Sequence, residues 1–160
     1  MKQERTIMTR KAADNKYLHR DFHITLNILL DYIDDKFGKE AVIQYLSQYT
    51  RAYHQPLHEQ LMAGNLSALS DYLMQLYQKE EWPIRIRFDE GFVELQQDGC
   101  PGISHIKASG KRPSRYYVET YRTVYETLCE GTPFQYELQR FDDETGACTQ
   151  VFTKKEEEKQ

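Results

Sequence analysis

The feature that most constrains the fold of this chain is a change in the spacing of its apolar residues at Trp82-Pro83. Before this point, apolar side chains recur every three or four residues, which is the period of an amphipathic helix. After it, apolar residues alternate with arginines over residues 84–88, which is the period of a β-strand. Because helices come first and strands follow in short hairpins, the pattern indicates an antiparallel α+β fold rather than a parallel α/β fold.

Breaks in the helical pattern divide the first half of the chain into helices. Gly38 is expected to end the first helix, since glycine is common just after a helix C-terminus. Pro56 must kink or break the second helix, because proline lacks an N–H group and clashes with the preceding turn. The predicted helices cover residues 14–37, then 39–64 with a break at Pro56, and a third begins at Asn65 or Ser67.

The second half of the chain predicts two β-hairpins separated by helices. Polar turn residues at 89–91 and 142–146 join the paired strands. A short helix over 103–108 and a longer one over 113–131 are expected between the hairpins. We therefore expect an α+β fold with N-terminal helices packed on a four-stranded antiparallel sheet made of two hairpins. The predicted divisions are a flexible arm at 1–13, one domain at 14–153 and a charged tail at 154–160.

Composition narrows the classes of partner. The net charge is −4, which argues against a nucleic-acid surface, since such a surface needs clustered lysine and arginine. No apolar run reaches the roughly 18 residues that span a bilayer. Three cysteines make an odd, sparse set that is typical of free thiols in a reducing compartment. We expect a cytoplasmic protein that binds a small molecule and binds neither nucleic acid nor a membrane. The oligomeric state stays open between a monomer and a homodimer.

Cys100 is the strongest candidate for a reactive residue. It precedes Pro101, and proline favours the first helical position, so the thiol is expected at a helix N-terminus. The N–H groups and the dipole there stabilise a thiolate and lower the pKa of the thiol. His105, five residues further on, is expected to meet the thiol across a ligand, which is the minimum for nucleophilic catalysis. In the alternative, Cys100 is a buried thiol in a turn and His105 lies on the surface.

Four more residues are predicted to bind a substrate beside this thiol. Gly102 permits a ligand to approach the backbone closely. The hydroxyls of Tyr117 and Tyr121, at helical spacing, would line a pocket. Arg115 would attract a carboxylate. In the alternative, the tyrosines are core residues and the arginine belongs to a solvated loop.

Two pairs of histidines raise the alternative of a metal site. His19 and His23, like His54 and His58, are spaced so that each pair shares a helix face and can hold one metal ion. Two such pairs on packed helices would make a four-ligand site for a divalent metal such as zinc. Against this, Pro56 lies inside the second pair, and solvated helix histidines are the commoner case.

The segment GCPGISHIK at residues 99–107 resembles the Cys-Pro-x-x-x-His segment of small bacterial and archaeal proteins grouped with the L-2-amino-thiazoline-4-carboxylic acid hydrolases. Residues 128–134 and 142–152 are similar to the C-terminal half of that family. The resemblance spans about residues 15–152 and implies hydrolysis of a carbon–nitrogen bond in a thiazoline ring. We expect this reaction to need no cofactor. Residue chemistry then makes Cys100 the candidate nucleophile and His105 the candidate base, with no evident third group to orient His105.

The C-terminal half also resembles vinyl-reductase-type small-molecule-binding domains, where a helix ends in a Cys-x-x-Gly-like turn before an antiparallel strand pair, as at residues 129–136. This second resemblance implies a ligand-binding sensor. The alternative function is therefore a non-catalytic domain that binds a small molecule or a metal. An interaction domain without a small ligand is a third possibility.

Overall fold

The computed structural model describes residues 18–156, with side chains from residue 22 onward. It confirms the α+β class within that range. The helices are α1 (Leu18–Phe37), α2 (Lys39–Tyr53), α3 (Gln55–Met62), α4 (Ser67–Lys79), α5 (Pro101–Ala108) and α6 (Arg122–Cys129). The strands are β1 (Arg85–Asp89), β2 (Phe92–Gln97), β3 (Phe134–Phe141) and β4 (Cys148–Lys154).

The four strands form one antiparallel sheet in the order β1-β2-β4-β3. Each predicted hairpin is present, and the two hairpins join where β2 pairs with β4. In that pairing Val93 lies opposite Phe152 and Leu95 lies opposite Gln150. All four of these residues have no exposed surface, so the centre of the sheet supplies one wall of the main core.

The helices cover one face of the sheet, and the opposite face carries charge. On that charged face, Arg85 pairs with Asp98 and Arg87 with Glu94, each at 2.8 Å. The alternation of isoleucine and arginine in β1 thus reflects a sheet with one apolar and one solvated face. β1, which carries both arginines, is an edge strand of the sheet. Charged side chains on an edge strand discourage pairing with a strand of another chain.

The expected helix breaks in the first half are confirmed. Gly38 separates α1 from α2 with a φ of 84°. The helix pattern breaks again at His54, which lies between α2 and α3, and Pro56 occupies the first turn of α3. The predicted start of the first helix at residue 14 lies outside the described residues. At the other end, the backbone N–H of Lys155 donates to the Pro133 carbonyl at 2.8 Å.

The prediction of one continuous helix over 113–131 is wrong. A turn precedes a short 3-10 helix at Tyr117–Thr120, and α6 begins only at Arg122. The reason lies in α1: the buried Asn27 accepts a 2.6 Å hydrogen bond from the Ser114 N–H and donates one of 3.0 Å to the Arg112 carbonyl. These bonds hold the segment to α1, so its backbone groups are satisfied without a helix.

No helix in the described range, 18–156, has the length and apolar character needed to cross a membrane. This agrees with the absence of a long apolar run in the sequence.

Candidate functional site

A cavity of about 690 Å³ lies among the helices and is bounded by α1, α2, α4, the 3-10 helix, α6 and the start of α5. This volume falls in the range of small-molecule sites. Its walls combine leucine and phenylalanine side chains with a large group of tyrosines. The lining tyrosines are Tyr45, Tyr49, Tyr53, Tyr72, Tyr77, Tyr117, Tyr121 and Tyr125.

Cys100 lies in the wall of this cavity, at the position predicted for it. It is the residue before α5, with extended backbone (φ −114°, ψ 129°), and Pro101 begins the helix. Its backbone N–H donates a 2.8 Å hydrogen bond to the Thr145 carbonyl in the β3-β4 turn. Gly146 in that turn has a φ of 72°, and a Cβ there would overlap the Cβ of Cys100. The turn of the second hairpin therefore holds the thiol in place.

The pKa of the Cys100 thiol is raised, which is opposite to the direction expected from its helix position. Burial is the largest cause, because the residue is only 2% exposed and a thiolate there loses its hydration. The hydrogen bond donated by Tyr121, those donated by the N–H groups of Ile103 and Gly102, and the hydrogen bond between the thiol and the Tyr117 hydroxyl act in the other direction. The helix N-terminus does favour the thiolate, but desolvation outweighs it, so the resting thiol is neutral.

One set of polar contacts runs from Cys100 into the sheet. The Tyr121 hydroxyl donates to the sulfur at 2.9 Å and accepts from Gln97 Nε2 at 3.1 Å. Gln97 also donates to the Gly146 carbonyl at 2.9 Å and accepts from the Tyr77 hydroxyl. Burial raises the pKa of Tyr121 well above its ordinary value, so this hydroxyl stays protonated and available as a donor.

A second set of contacts runs from Cys100 toward α1 and α4. Tyr117, whose hydroxyl interacts with the thiol, also lies 3.1 Å from His23 Nδ1. His23 Nε2 lies 3.1 Å from a carboxylate oxygen of Glu80. Since a carboxylate oxygen accepts hydrogen bonds, this contact assigns the ring proton to Nε2 and leaves Nδ1 as the acceptor for Tyr117. The result is a chain of contacts from the thiol through a hydroxyl and an imidazole to a carboxylate.

Gly102 contributes to this arrangement by leaving space. A Cβ at this position would overlap the Tyr117 hydroxyl oxygen and lie 2.6 Å from His23 Nδ1. The groups that lie close to the Gly102 backbone are therefore side chains of this protein, those of Tyr117 and His23. A substrate contact at Gly102 stays a prediction.

The structure does not bring His105 into the cavity that contains Cys100. Five residues of an α-helix rotate a side chain by about 140°, which turns His105 away from the start of α5. Its Nε2 atom is buried and has no hydrogen-bond partner among the described residues. His23, which the sequence placed in a metal site, occupies the position near the thiol instead.

Tyr117 and Tyr121 line the cavity as predicted, whereas Arg115 does not. The Arg115 side chain is exposed and pairs with Asp34 at 2.6 Å. Its guanidinium also lies 4.9 Å from the ring centre of Tyr116. Arg115 therefore helps to hold the 111–116 segment against α1.

The histidines proposed as metal ligands occupy separate settings. His54 packs among tyrosine rings at the junction of α2 and α3, so it does not share one continuous helix with His58. His58 Nδ1 donates to the Leu128 carbonyl at 2.9 Å. The side chain of His19 lies outside those the structure describes. Within the described part of the chain, no group of three or more His, Cys, Asp or Glu residues is arranged to hold a metal ion.

Glu80 and Gln97 were not among the residues predicted for the site, although the spacing of each in the sequence indicates a buried position. Glu80 continues the buried stripe of α4 at helical spacing after Leu73 and Tyr77, and its side chain is 5% exposed. Gln97 continues the inward alternation of β2 after Leu95. A charged or amide residue on an otherwise apolar face needs a buried partner, and this requirement marks it as a candidate site residue.

The cavity thus brings together a neutral buried thiol, protonated tyrosine hydroxyls and an imidazole–carboxylate pair. Such a set can bind a small molecule and can move a proton away from the sulfur. Comparison with protein-family models, with curated proteins and with solved structures found no match to this chain.

Proposed function

We propose that this chain is a small-molecule hydrolase that cleaves a carbon–nitrogen bond, with Cys100 as the nucleophile. The observation that supports it most is the run of contacts from the Cys100 thiol through Tyr117 to the His23–Glu80 pair. A sulfur nucleophile needs a base, and the base needs a third group to orient it. His23 takes the role of base that residue chemistry first suggested for His105, and Glu80 is its orienting group.

Activation moves one proton along this chain of contacts. The Cys100 thiol gives its proton to the Tyr117 oxygen while the Tyr117 hydroxyl proton passes to His23 Nδ1. The products are a thiolate and an imidazolium, and Tyr117 then donates its hydrogen bond to the sulfur. Glu80 stabilises the imidazolium charge. Because burial keeps the resting thiol neutral, this transfer belongs to the substrate-bound state.

The thiolate then forms a bond to the planar carbon of an amide or amidine group, and the displaced electron pair moves to its oxygen or nitrogen. The His23 proton returns through Tyr117 to the leaving nitrogen, the carbon–nitrogen bond breaks, and an amine departs. A water molecule, deprotonated by the now neutral His23, attacks the thioester or thioimidate. The carbon–sulfur bond breaks and the proton returns to Cys100, so the enzyme is regenerated.

The first substrate to test is 2-amino-thiazoline-4-carboxylate, which the sequence resemblance suggests. Its amidine-like carbon suits attack by sulfur, and Lys79 in the cavity wall supplies a positive charge for its carboxylate. The experiment measures loss of substrate by chromatography for the unmodified protein and for Cys100→Ala. Cys129→Ala is the matched control, since Cys129 is buried but does not line the cavity.

We expect Cys100→Ala to abolish turnover and Cys129→Ala to retain it. Turnover that persists in Cys100→Ala would rule out the nucleophile. The proposal also fails if the unmodified protein hydrolyses neither the thiazoline nor a panel of small amides and amidines.

A second candidate function is binding without turnover. The raised pKa of Cys100 and the aromatic lining of the cavity favour it, because a neutral thiol among tyrosines makes a good apolar contact and a poor nucleophile. This function predicts that the unmodified protein binds the ligand without forming product, and that Cys100→Ala still binds it but more weakly, because the contact with the sulfur is lost.

Cytoplasmic location and homodimer formation complete the proposal. All three cysteines are free and buried, which fits a reducing compartment. On α1, Ile28 and Tyr32 are more than half exposed and lie one helical turn apart, which gives a second copy an apolar surface to contact. Sedimentation velocity measures the oligomeric state, and a monomer at all concentrations would exclude the dimer.

A further inference from the structure

A second polar group lines the cavity apart from the contacts around Cys100. His54, at the junction of α2 and α3, is 7% exposed and lines the cavity. Its backbone N–H donates to the Thr50 carbonyl at 2.9 Å, and its carbonyl accepts from the His58 N–H at 2.9 Å. Its ring nitrogens, by contrast, make no hydrogen bond to another described residue, and they are not among the fully buried unpaired atoms of the described residues, which are His105 Nε2 and Gln150 Nε2. The His54 nitrogens are therefore open to the cavity, where a ligand can hydrogen-bond to them.

Three tyrosine rings surround this imidazole. Tyr49 and Tyr53 stack on each other at 5.3 Å with an 11° angle between their planes. His54 meets both of them edge-on, at 5.9 and 5.0 Å, and meets Tyr72 edge-on at 5.5 Å. All three tyrosines line the cavity, and Tyr53 is 62% exposed, so this group lies at an open side. Burial lowers the pKa of His54, which keeps the ring neutral, with one donor and one acceptor nitrogen.

This aromatic group is distinct from the groups around the thiol. The hydroxyls that interact with Cys100 belong to Tyr117 and Tyr121, neither of which contacts His54. Tyr125 also lines the cavity, within electrostatic range of both Tyr72 and Tyr77. The cavity therefore has a thiol end and an aromatic end. Its volume of about 690 Å³ leaves room for a further group beside a reacting five-membered ring.

We infer that the ligand has two parts: the reacting amide or amidine group at Cys100, and an aromatic ring with a hydroxyl group that is held by Tyr49, Tyr53 and Tyr72 and hydrogen-bonded to His54. The reacting part rests on the proposed function, whereas the aromatic subsite does not. A hydroxyl matches a neutral imidazole because it both donates and accepts. Stacking against tyrosine rings favours a flat aromatic group over an aliphatic one of the same size.

The experiment measures binding by equilibrium dialysis with two probes, 2-naphthol and naphthalene, which share a ring system and differ in one hydroxyl. Cys100→Ala serves as the parent protein, so that the thiol end takes no part. In this parent we expect His54→Phe to lower the affinity ratio of 2-naphthol to naphthalene about tenfold, as expected for one buried hydrogen bond. The matched control is His105→Phe, which removes an imidazole outside the cavity and should leave the ratio unchanged. Tyr53→Leu, at the exposed side, should weaken both probes and leave their ratio unchanged.

An unchanged ratio in His54→Phe, or failure of 2-naphthol to bind the parent, would overturn the inference. If His54→Phe does not fold, 2-methoxynaphthalene tests the same bond in the parent, because it lacks the hydroxyl proton and should bind more weakly than 2-naphthol. Equal binding of these two probes then counts against the inference. If the affinity ratio changes tenfold but the unmodified protein hydrolyses no amide or amidine, the aromatic subsite is supported and only the proposed function is rejected.

Discussion

The hydroxyl of Tyr121 donates a hydrogen bond of 2.9 Å to the sulfur of Cys100, while burial of the same sulfur raises the pKa of the thiol. The two effects oppose each other, and burial prevails. A thiol at a helix N-terminus is therefore not reactive by position alone. In this cavity its ionisation depends on the hydroxyls beside it and on the nearby base.

Replacement of Tyr121 by phenylalanine should raise the pKa of Cys100 further, because it removes a hydrogen bond that favours the thiolate. The pH dependence of iodoacetamide labelling, read by mass spectrometry for each cysteine, measures this pKa. Tyr125→Phe is the control, since Tyr125 lines the same cavity and its hydroxyl does not bond the thiol. A labelling midpoint that stays the same or falls in Tyr121→Phe would contradict the assigned role.

Removal of the charge on Glu80 should slow the proposed reaction. Glu80→Gln keeps the shape of the side chain but leaves the His23 imidazolium without its carboxylate. We expect kcat to fall about 100-fold with little change in KM, since the charge acts on proton transfer rather than on binding. Glu130→Gln, which removes a carboxylate from the exposed pair with Arg51, serves as the control. An equal fall in kcat in Glu80→Gln and Glu130→Gln would indicate a general effect of charge instead of a specific role for Glu80.

A methyl group at Gly102 should destabilise the fold and disturb the base. In Gly102→Ala the new Cβ overlaps the Tyr117 hydroxyl oxygen, so this side chain and His23 must move. We expect a loss of about 1–3 kcal/mol in the free energy of unfolding, which is typical of overpacking. For Gly91→Ala the nearest atom is Lys154 Cβ at 3.7 Å, an ordinary contact, and we expect a change within about 0.5 kcal/mol. Urea denaturation measures the free energy of unfolding of both variants. Equal values would show that Tyr117 and His23 move aside without a loss of stability.

Stability should fall in alkaline solution because of the buried thiols. Burial raises the pKa of Cys129 and of Cys148 from the ordinary 9.0 to about 12. Above pH 9 the unfolded chain releases these protons while the folded chain keeps them. The stabilising contribution is therefore complete below pH 9 and is lost as the pH rises toward 12. Each thiol contributes a slope of about 1.4 kcal/mol per pH unit in this window.

Cys148→Ala tests this slope, because alanine does not titrate in either state. The variant should be less stable at pH 8 for lack of packing, yet its free energy of unfolding should fall less steeply between pH 9 and 12. Urea denaturation at a series of pH values measures both slopes. Burial is the largest cause of the raised pKa of Tyr77, Tyr125 and Tyr136 and is present in both proteins, so parallel curves would refute the role of Cys148.

Local patterns in the sequence determined the classes of secondary structure and the position of the thiol. The change of period at Trp82-Pro83 separates helices from strands, and the Cys100-Pro101 pair places the thiol at the start of α5. These features depend on neighbours within one or two turns of the chain, where the steric demands of proline act directly. The absence of a helix at residues 113–116 escaped prediction because it depends on Asn27, which lies 87 residues from Ser114.

Only the tertiary structure decided which groups surround Cys100. His23 and Glu80 are 57 residues apart and come from α1 and from the end of α4, while Tyr117 and Tyr121 follow the loop that α1 holds. His105 is close to the thiol in sequence, but the helix turns it away. The direction of the Cys100 pKa likewise depends on burial, which is the sum of contacts from every packed element. Sequence determines what is adjacent along the chain, whereas desolvation and long-range hydrogen bonds exist only once the elements have packed together.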